Sequence, residues 1–163
     1  MKIHAEYQWT DYLEGLRLHM QRRRRIVLIL LLASVSVALV VLISGFERKT
    51  LLPPIAGLIG GLLFLQSFYG LYLPYRAKRI FKQQKSLHQP FTVEVTSEGL
   101  NWSSSAGDSQ MPWSFFSTWR ENQQVFLIYQ ADVMFHMVPT RAFRSHTDLD
   151  SFRDSLEWHI PRG

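Results

Sequence analysis

The chain has no cysteine among its 163 residues. A disulfide framework, a thiolate metal site and a cysteine nucleophile are excluded from the start. Charge is sparse as well: 19% of residues are charged against 47% hydrophobic. Acid is scarcest in the first half. Residues 1–85 hold 13 Lys/Arg and 4 Asp/Glu, a balance of +9, whereas residues 86–163 hold 5 and 9, a balance of −4. The net +5 therefore does not belong to the more polar half, which speaks against nucleic acid as a partner. Missing too are a Gly-rich phosphate loop, H-E-x-x-H and G-x-S-x-G. The six histidines, His4, His19, His88, His136, His146 and His159, lack metal-ligand spacing. Asp148, Asp150 and Asp154 read as the solvated outer face of a helix. No catalytic residue, metal or cofactor is expected, and the chain does not read as an enzyme.

What the first half does have is two long uncharged runs. Ile26 to Ser44 is nineteen residues without a charge, about 28 Å of helix and close to the hydrocarbon thickness of a bilayer. Leu51 to Leu73 is the second, with Pro53 and Pro54 expected in its first turn and Tyr69, Tyr72 and Tyr75 forming an interfacial belt at its far end. The sequence predicts a transmembrane hairpin over 26–75, with spans 26–44 and 51–73. A cleaved signal peptide fits less well, because the run begins only at residue 26 and exceeds the usual h-region.

Orientation follows from the flanks. Arg22, Arg23, Arg24 and Arg25 precede the first span, and Arg76, Lys78, Arg79, Lys82 and Lys85 follow the second. The connecting loop holds Glu47, Arg48 and Lys49. Positive-inside asymmetry places both termini in the cytoplasm. The nine flanking residues read first as topology signals and second as a patch for anionic lipid. Within the spans, Ser34, Ser36 and Gln66 are expected to hydrogen-bond between helices. Gly57 and Gly61 form a G-x-x-x-G that allows close packing, between the two spans or between copies of the chain. No ionisable group at mid-depth suggests transport.

Residues 1–25 read as a short strand and a juxtamembrane helix. Ile3, Ala5, Tyr7 and Trp9 alternate with polar residues, and the strand is expected to pair with the carboxy-terminal sheet, since so short a strand does not stand alone; the alternative is a disordered tail. Asp11 with Glu14 is expected to cap a helix whose Tyr12, Leu13, Leu16 and Met20 recur at helical spacing and which runs unbroken into the first span. Residues 76–90 form a basic juxtamembrane helix and linker.

Residues 91–163 change character. Phe91, Val93 and Val95 alternate with polar residues in a half-buried strand. Further strands are predicted at 100–104, from Gln110 up to Pro112, and at 117–121, 125–130 and 133–138, with turns at 98–99, 105–108 and around Asn122. Ser145 or Thr147 caps a last helix whose Leu149, Phe152 and Leu156 pack on the sheet. Strands followed by a closing helix indicate an α+β domain, and its size suits a pleckstrin-homology-like antiparallel half-barrel. Trp102, Trp113 and Trp119 are core candidates. Arg141, Trp113 and His136 are the candidates for a specific contact. For Arg141 the structural alternative is a cap or a salt bridge to the acidic terminal helix; for His136 it is a satisfied core histidine or a partly exposed face.

GL at 99–100, PWS at 112–114, FLIYQ at 126–130, VPTRAF at 138–143 and FRDSL at 152–156 follow in one order. Together with TDYLEGLRLH at 10–19 and the two runs, they resemble the YcxB-like family of bacterial membrane proteins. The resemblance implies a cytoplasmic domain similar to bacterial pleckstrin-homology modules on a two-helix anchor, in the inner membrane, and implies no activity. Thr140 stands where a lysine is common in this pattern. Two functions are open. In one, the cytoplasmic domain is an anchored module binding a protein, less readily a lipid headgroup. In the other, a small membrane regulator or immunity-type protein acts through its helices.

Overall fold

The computed structural model describes residues 1–43 and 48–163, with the side chains at 22, 23, 38, 41–43, 48–52 and 54 also outside the description. The end of the first predicted span at Ser44, the loop residue Glu47 and the side chains of Arg48 and Lys49 thus lie outside the described residues. The chain forms two compact units, Met1–His19 with Ala77–Gly163, and Met20–Arg76. The first is α+β with two antiparallel sheets.

The first sheet has the order β1 (Lys2–Ala5), β2 (Phe91–Val95), β3 (Gly99–Ser104), β4 (Gly107–Pro112). The amino-terminal arm does pair as expected: Ile3 lies opposite Val93 and Ala5 opposite Phe91. Val93 in turn opposes Trp102, and Leu100 lies between Val95 and Met111. Period-two alternation puts these apolar residues on one face. The strand stops at Ala5 and Trp9, 38% exposed, already belongs to the following helix; it does not join the inward row.

The second sheet is a meander of β5 (Thr118–Glu121), β6 (Val125–Ala131) and β7 (Met134–Pro139). A 3-10 turn, Trp113–Phe115, separates the two sheets. Strand β6 reads as one apolar run because both its faces are covered. Phe126 and Ile128 face a core with Trp119, Val138, Leu100, Phe152 and Leu156. Val125, Leu127 and Tyr129 face a second cluster with Met137 and Leu18. Helix α4 (His146–His159) closes the first core, and Ser145 is its cap, its Oγ accepting from the Asp148 N–H at 3.1 Å.

The second cluster is closed by the start of α1 (Trp9–Ile43). Here the predicted face is corrected. Asp11, Leu13, Gly15 and Leu18 are buried, whereas Tyr12, Leu16 and Met20 are half-buried. The helix lies so close to β7 that a Cβ at Gly15 would meet the Met137 sulfur, and glycine there permits the approach. The cap is corrected as well. Asp11 occupies the first turn, and its carboxylate accepts from the Gln8 backbone N–H at 2.8 Å, the reach-back half of a capping box. Glu14 instead pairs with Arg17 at 2.6 Å.

The second unit is helical. Helix α1 continues unbroken to Ile43, and α2 (Arg48–Ser67) passes through a π-helical turn, Phe68–Tyr72, into α3 (Leu73–Gln83), which itself extends into the first unit. Helix α2 begins before Leu51, so Pro53 and Pro54 fall in its second turn. Ser34 and Ser36 bond carbonyls of their own helix, Leu31 at 2.7 Å and Leu32 at 3.1 Å, rather than reaching across, because a helical serine finds the carbonyl three or four residues back. A stretch within the second unit and α3, Ile55–Gln83, is long and apolar enough to cross a membrane by length and composition.

Candidate functional site

Arg141 follows β7, in the 3-10 turn Thr140–Ala142. Its Nη2 donates to Asp11 Oδ2 and to the Glu6 carbonyl, each at 2.5 Å, and its Nε lies 3.3 Å from Asp11 Oδ1. The salt bridge expected with the terminal helix therefore goes to the amino-terminal arm. Asp11 is 5% exposed, the buried charged side chain among the described residues, while the Arg141 side chain is 41% exposed. Next to it, Tyr7 donates its hydroxyl to the Met137 carbonyl at 2.7 Å and stacks on Phe91 at 4.4 Å. Burial first, and the Asp11 charge second, hold the Tyr7 pKa above its ordinary 10.0. These contacts form a clasp joining the arm to both sheets. The terminal helix has its own arginine for its acids: Arg153 donates to Glu121 at 2.9 Å and pairs with Asp150. The Glu121 hydrogen bond is the main cause raising its pKa.

His136 projects from β7 opposite Ile128, on the face of the main core. Its ring packs on Trp102 at 4.9 Å and edge-on to Phe116 at 6.3 Å. It therefore bridges the two sheets, and burial lowers its pKa below 6.5. Trp113 is 8% exposed; its ring stacks flat on His159 at 4.3 Å and meets Phe116 at 6.4 Å. Trp119 is fully buried and Trp102 half-buried. The structure thus links His136 and Trp113 through Phe116, and places Arg141 apart from them in the clasp.

The aromatics left outside are different ones. Trp158 on α4 is 85% exposed and Phe115 is 60% exposed. Trp158 precedes His159, which stacks on Trp113, and Phe115 lies in the same turn as Trp113, so each is a sequence neighbour of one ring of that stack. A signal for Trp158 was in the sequence: Leu149, Phe152 and Leu156 define the inward face of α4, and residue 158 falls off it.

Of the basic residues, Arg24 lies 5.3 Å from the Tyr69 ring centre and Lys78 5.7 Å from that of Trp9. Arg25, Arg76, Arg79, Lys82 and Lys85 are exposed, and the side chains of Arg22 and Arg23 lie outside the described residues. A Cβ at Gly61 would lie 3.1 Å from Leu31 of α1, whereas among the described residues nothing lies within 4 Å of one at Gly57 or Gly60, and Gln66 is exposed. Half of the glycine motif thus serves the pairing of α1 with α2 inside this unit. Among the described residues no group of three or more His, Asp or Glu is placed to hold a metal ion.

No curated protein and no solved structure matches this chain. Residues 95–155, from the last residue of β2 through most of α4, match the family model described as YcxB-like protein, so the YcxB-like resemblance read from the sequence holds over the carboxy-terminal domain.

Proposed function

We propose that the chain is an integral protein of a bacterial inner membrane, with both termini cytoplasmic, whose helical hairpin anchors a pleckstrin-homology-like domain that binds a protein partner without catalysing a reaction. The membrane part of this reading is supported by the surface of the second unit. Leu30, Leu32, Val37, Leu63 and Phe64 are each more than 60% exposed, an apolar surface that water does not tolerate and a bilayer covers. The basic flanks orient it. Two facing antiparallel sheets closed by α4 support the pleckstrin-like description, which is itself no argument for a phosphoinositide ligand.

The observation that carries the binding role is Trp158, 85% exposed on a domain whose other tryptophans are buried or half-buried apart from Trp9 on the arm. Exposed tryptophan is the residue type most enriched at binding hot spots. The −4 balance of residues 86–163 favours a protein over an anionic headgroup as the partner of this domain. The test is crosslinking in cells of the full chain beside a version with both spans replaced by an unrelated hairpin. The same partner is expected in both, with capture reduced at least fivefold by Trp158→Ala. Loss of the partner on span replacement, with the domain still folded, would assign recognition to the helices. That second reading is favoured by the open space at Gly57 and Gly60, where another helix has room to approach.

A further inference from the structure

One face of the second unit has a shape that a plain apolar helix lacks. Phe64, Ser67, Phe68, Leu71, Tyr72 and Tyr75 line a cavity of about 670 Å³, within the range of small-ligand sites. Their spacing of three and four residues puts them on one face over three turns. From Phe64 to Tyr75 the rise is about 16 Å, which matches one leaflet of the hydrocarbon core, roughly 15 Å. Among the described residues nothing covers the groove: Leu71 is 74% exposed, Phe64 68% and Tyr75 65%. Its middle is the π-helical turn, where the Leu73 N–H bonds the Phe68 carbonyl five residues back. Such a wide turn is uncommon and recurs at functional sites. Phe64, Phe68 and Tyr72 form a stacked aromatic row along it, with centroids 6.1 and 5.3 Å apart.

Charge says what kind of occupant this face favours. Between Glu47 and Glu94 the chain has no acidic residue. Arg76 follows Tyr72 by one turn and is exposed, and Arg24 of α1 lies over the Tyr69 ring at the level of the π turn. Among the described residues neither cation pairs with a carboxylate, and α2 and α3 carry none, which leaves both open to an external anion. A second copy of the chain would bring the same cations together, and a free phosphate would leave the apolar groove empty.

We propose that this face binds one phospholipid of the cytoplasmic leaflet, an acyl chain lying along Phe64, Phe68 and Leu71 and an anionic headgroup at Arg76 and Arg24. The site rests on the membrane reading given above. Its test is native mass spectrometry of the full chain in neutral detergent with phosphatidylglycerol or phosphatidylcholine added at equal concentration, alongside carbonate extraction of the cell membrane. Retention of phosphatidylglycerol over phosphatidylcholine is expected at about fivefold or more, the order expected per basic contact. Arg76→Gln, at an exposed position, is expected to shrink the preference, and Leu71→Trp to weaken both lipids by filling the groove. Equal retention of the two lipids by the native chain would overturn the site while leaving the anchor intact. Release of the chain by carbonate would overturn the membrane reading and the site with it. A lipid-free dimer abolished by Leu71→Trp, with no lipid preference, would reassign the face to self-association.

Discussion

The two units use the same residue types in opposite ways. In the α+β domain, Trp119, Phe126, Leu127 and Phe152 are fully buried, while in the helical unit Leu30, Phe64 and Leu71 are between 63% and 74% exposed. Neither unit is the more apolar by accident. The first has polar residues alternating with apolar ones, so it makes an inside and an outside from one chain. The second has apolar residues on every face, and two helices cannot cover them all. The difference teaches what each unit needs from its surroundings: the domain excludes water from its own centre, and the helical unit, on the membrane reading proposed above, relies on an apolar surrounding to cover what it leaves open.

The strongest way to break this comparison is to make the same kind of truncation in both units. Phe152→Ala is expected to cost about 3–5 kcal/mol, because its ring packs edge-on against Phe126 at 5.2 Å inside a closed core. Leu30→Ala is expected to stay within about 0.5 kcal/mol. Equal losses in urea or thermal unfolding of the detergent-solubilised chain would erase the distinction. A charge probes the same contrast from the other side. Val37→Asp is expected to cost about 2.5–3.5 kcal/mol of insertion, read as a fall in the carbonate-resistant fraction. Val133→Asp, at a position 74% exposed against 64% for Val37, is expected to leave the domain unchanged.

A smaller effect sharpens the boundary of the domain. Arg141→Ala leaves the buried Asp11 carboxylate with the Gln8 N–H, and about 1–3 kcal/mol of stability is expected to go with it. Arg141→Lys should recover part of that, lacking the forked contact to both Asp11 and Glu6. Faster exchange of the β1 amides in the alanine variant checks that the arm is what loosens. No change in β1 would show that the strand pairing alone holds it.

The smallest effect is the pH response of His136. Burial keeps the folded ring's pKa below 6.5, so the unfolded chain takes up the proton first as pH falls. Its contribution is therefore intact above about pH 6.5 and declines below it, levelling once the folded ring also titrates. Thermal midpoints between pH 8 and 5.5 are expected to fall in the native chain and to fall less in His136→Phe. Parallel curves would mean that this ring does not report on the contact between the sheets.

Much of the fold was legible because it rests on local periodicity. The strand β2, a cap at Ser145 or Thr147 and the face of Leu149, Phe152 and Leu156 all follow from spacing along one element, and the structure chose Ser145. Errors arose where a neighbour from far along the chain decided the outcome. The inward face of α1 shifted to Asp11, Gly15 and Leu18 because Met137 lies against it. Arg141 found Asp11, 130 residues away, rather than the acids near it in sequence. The exposed Phe115 was missed for the same reason: exposure is the sum over all neighbours, and a motif shows only the nearest in sequence; Trp158, by contrast, was legible from the spacing of α4 and was overlooked.

The sequence by itself determined that two long stretches are apolar all round, that the cations flank them, and that a meander of strands with a closing helix follows. Those are properties of residue order and need no partner. Only the tertiary structure decided that Arg141 holds Asp11 of the arm, that β6 is covered on both faces, and that a π turn lies in the middle of an apolar groove. Each of these depends on which groups come within a few ångströms of one another, and short-range contact between distant residues is what a linear pattern does not carry.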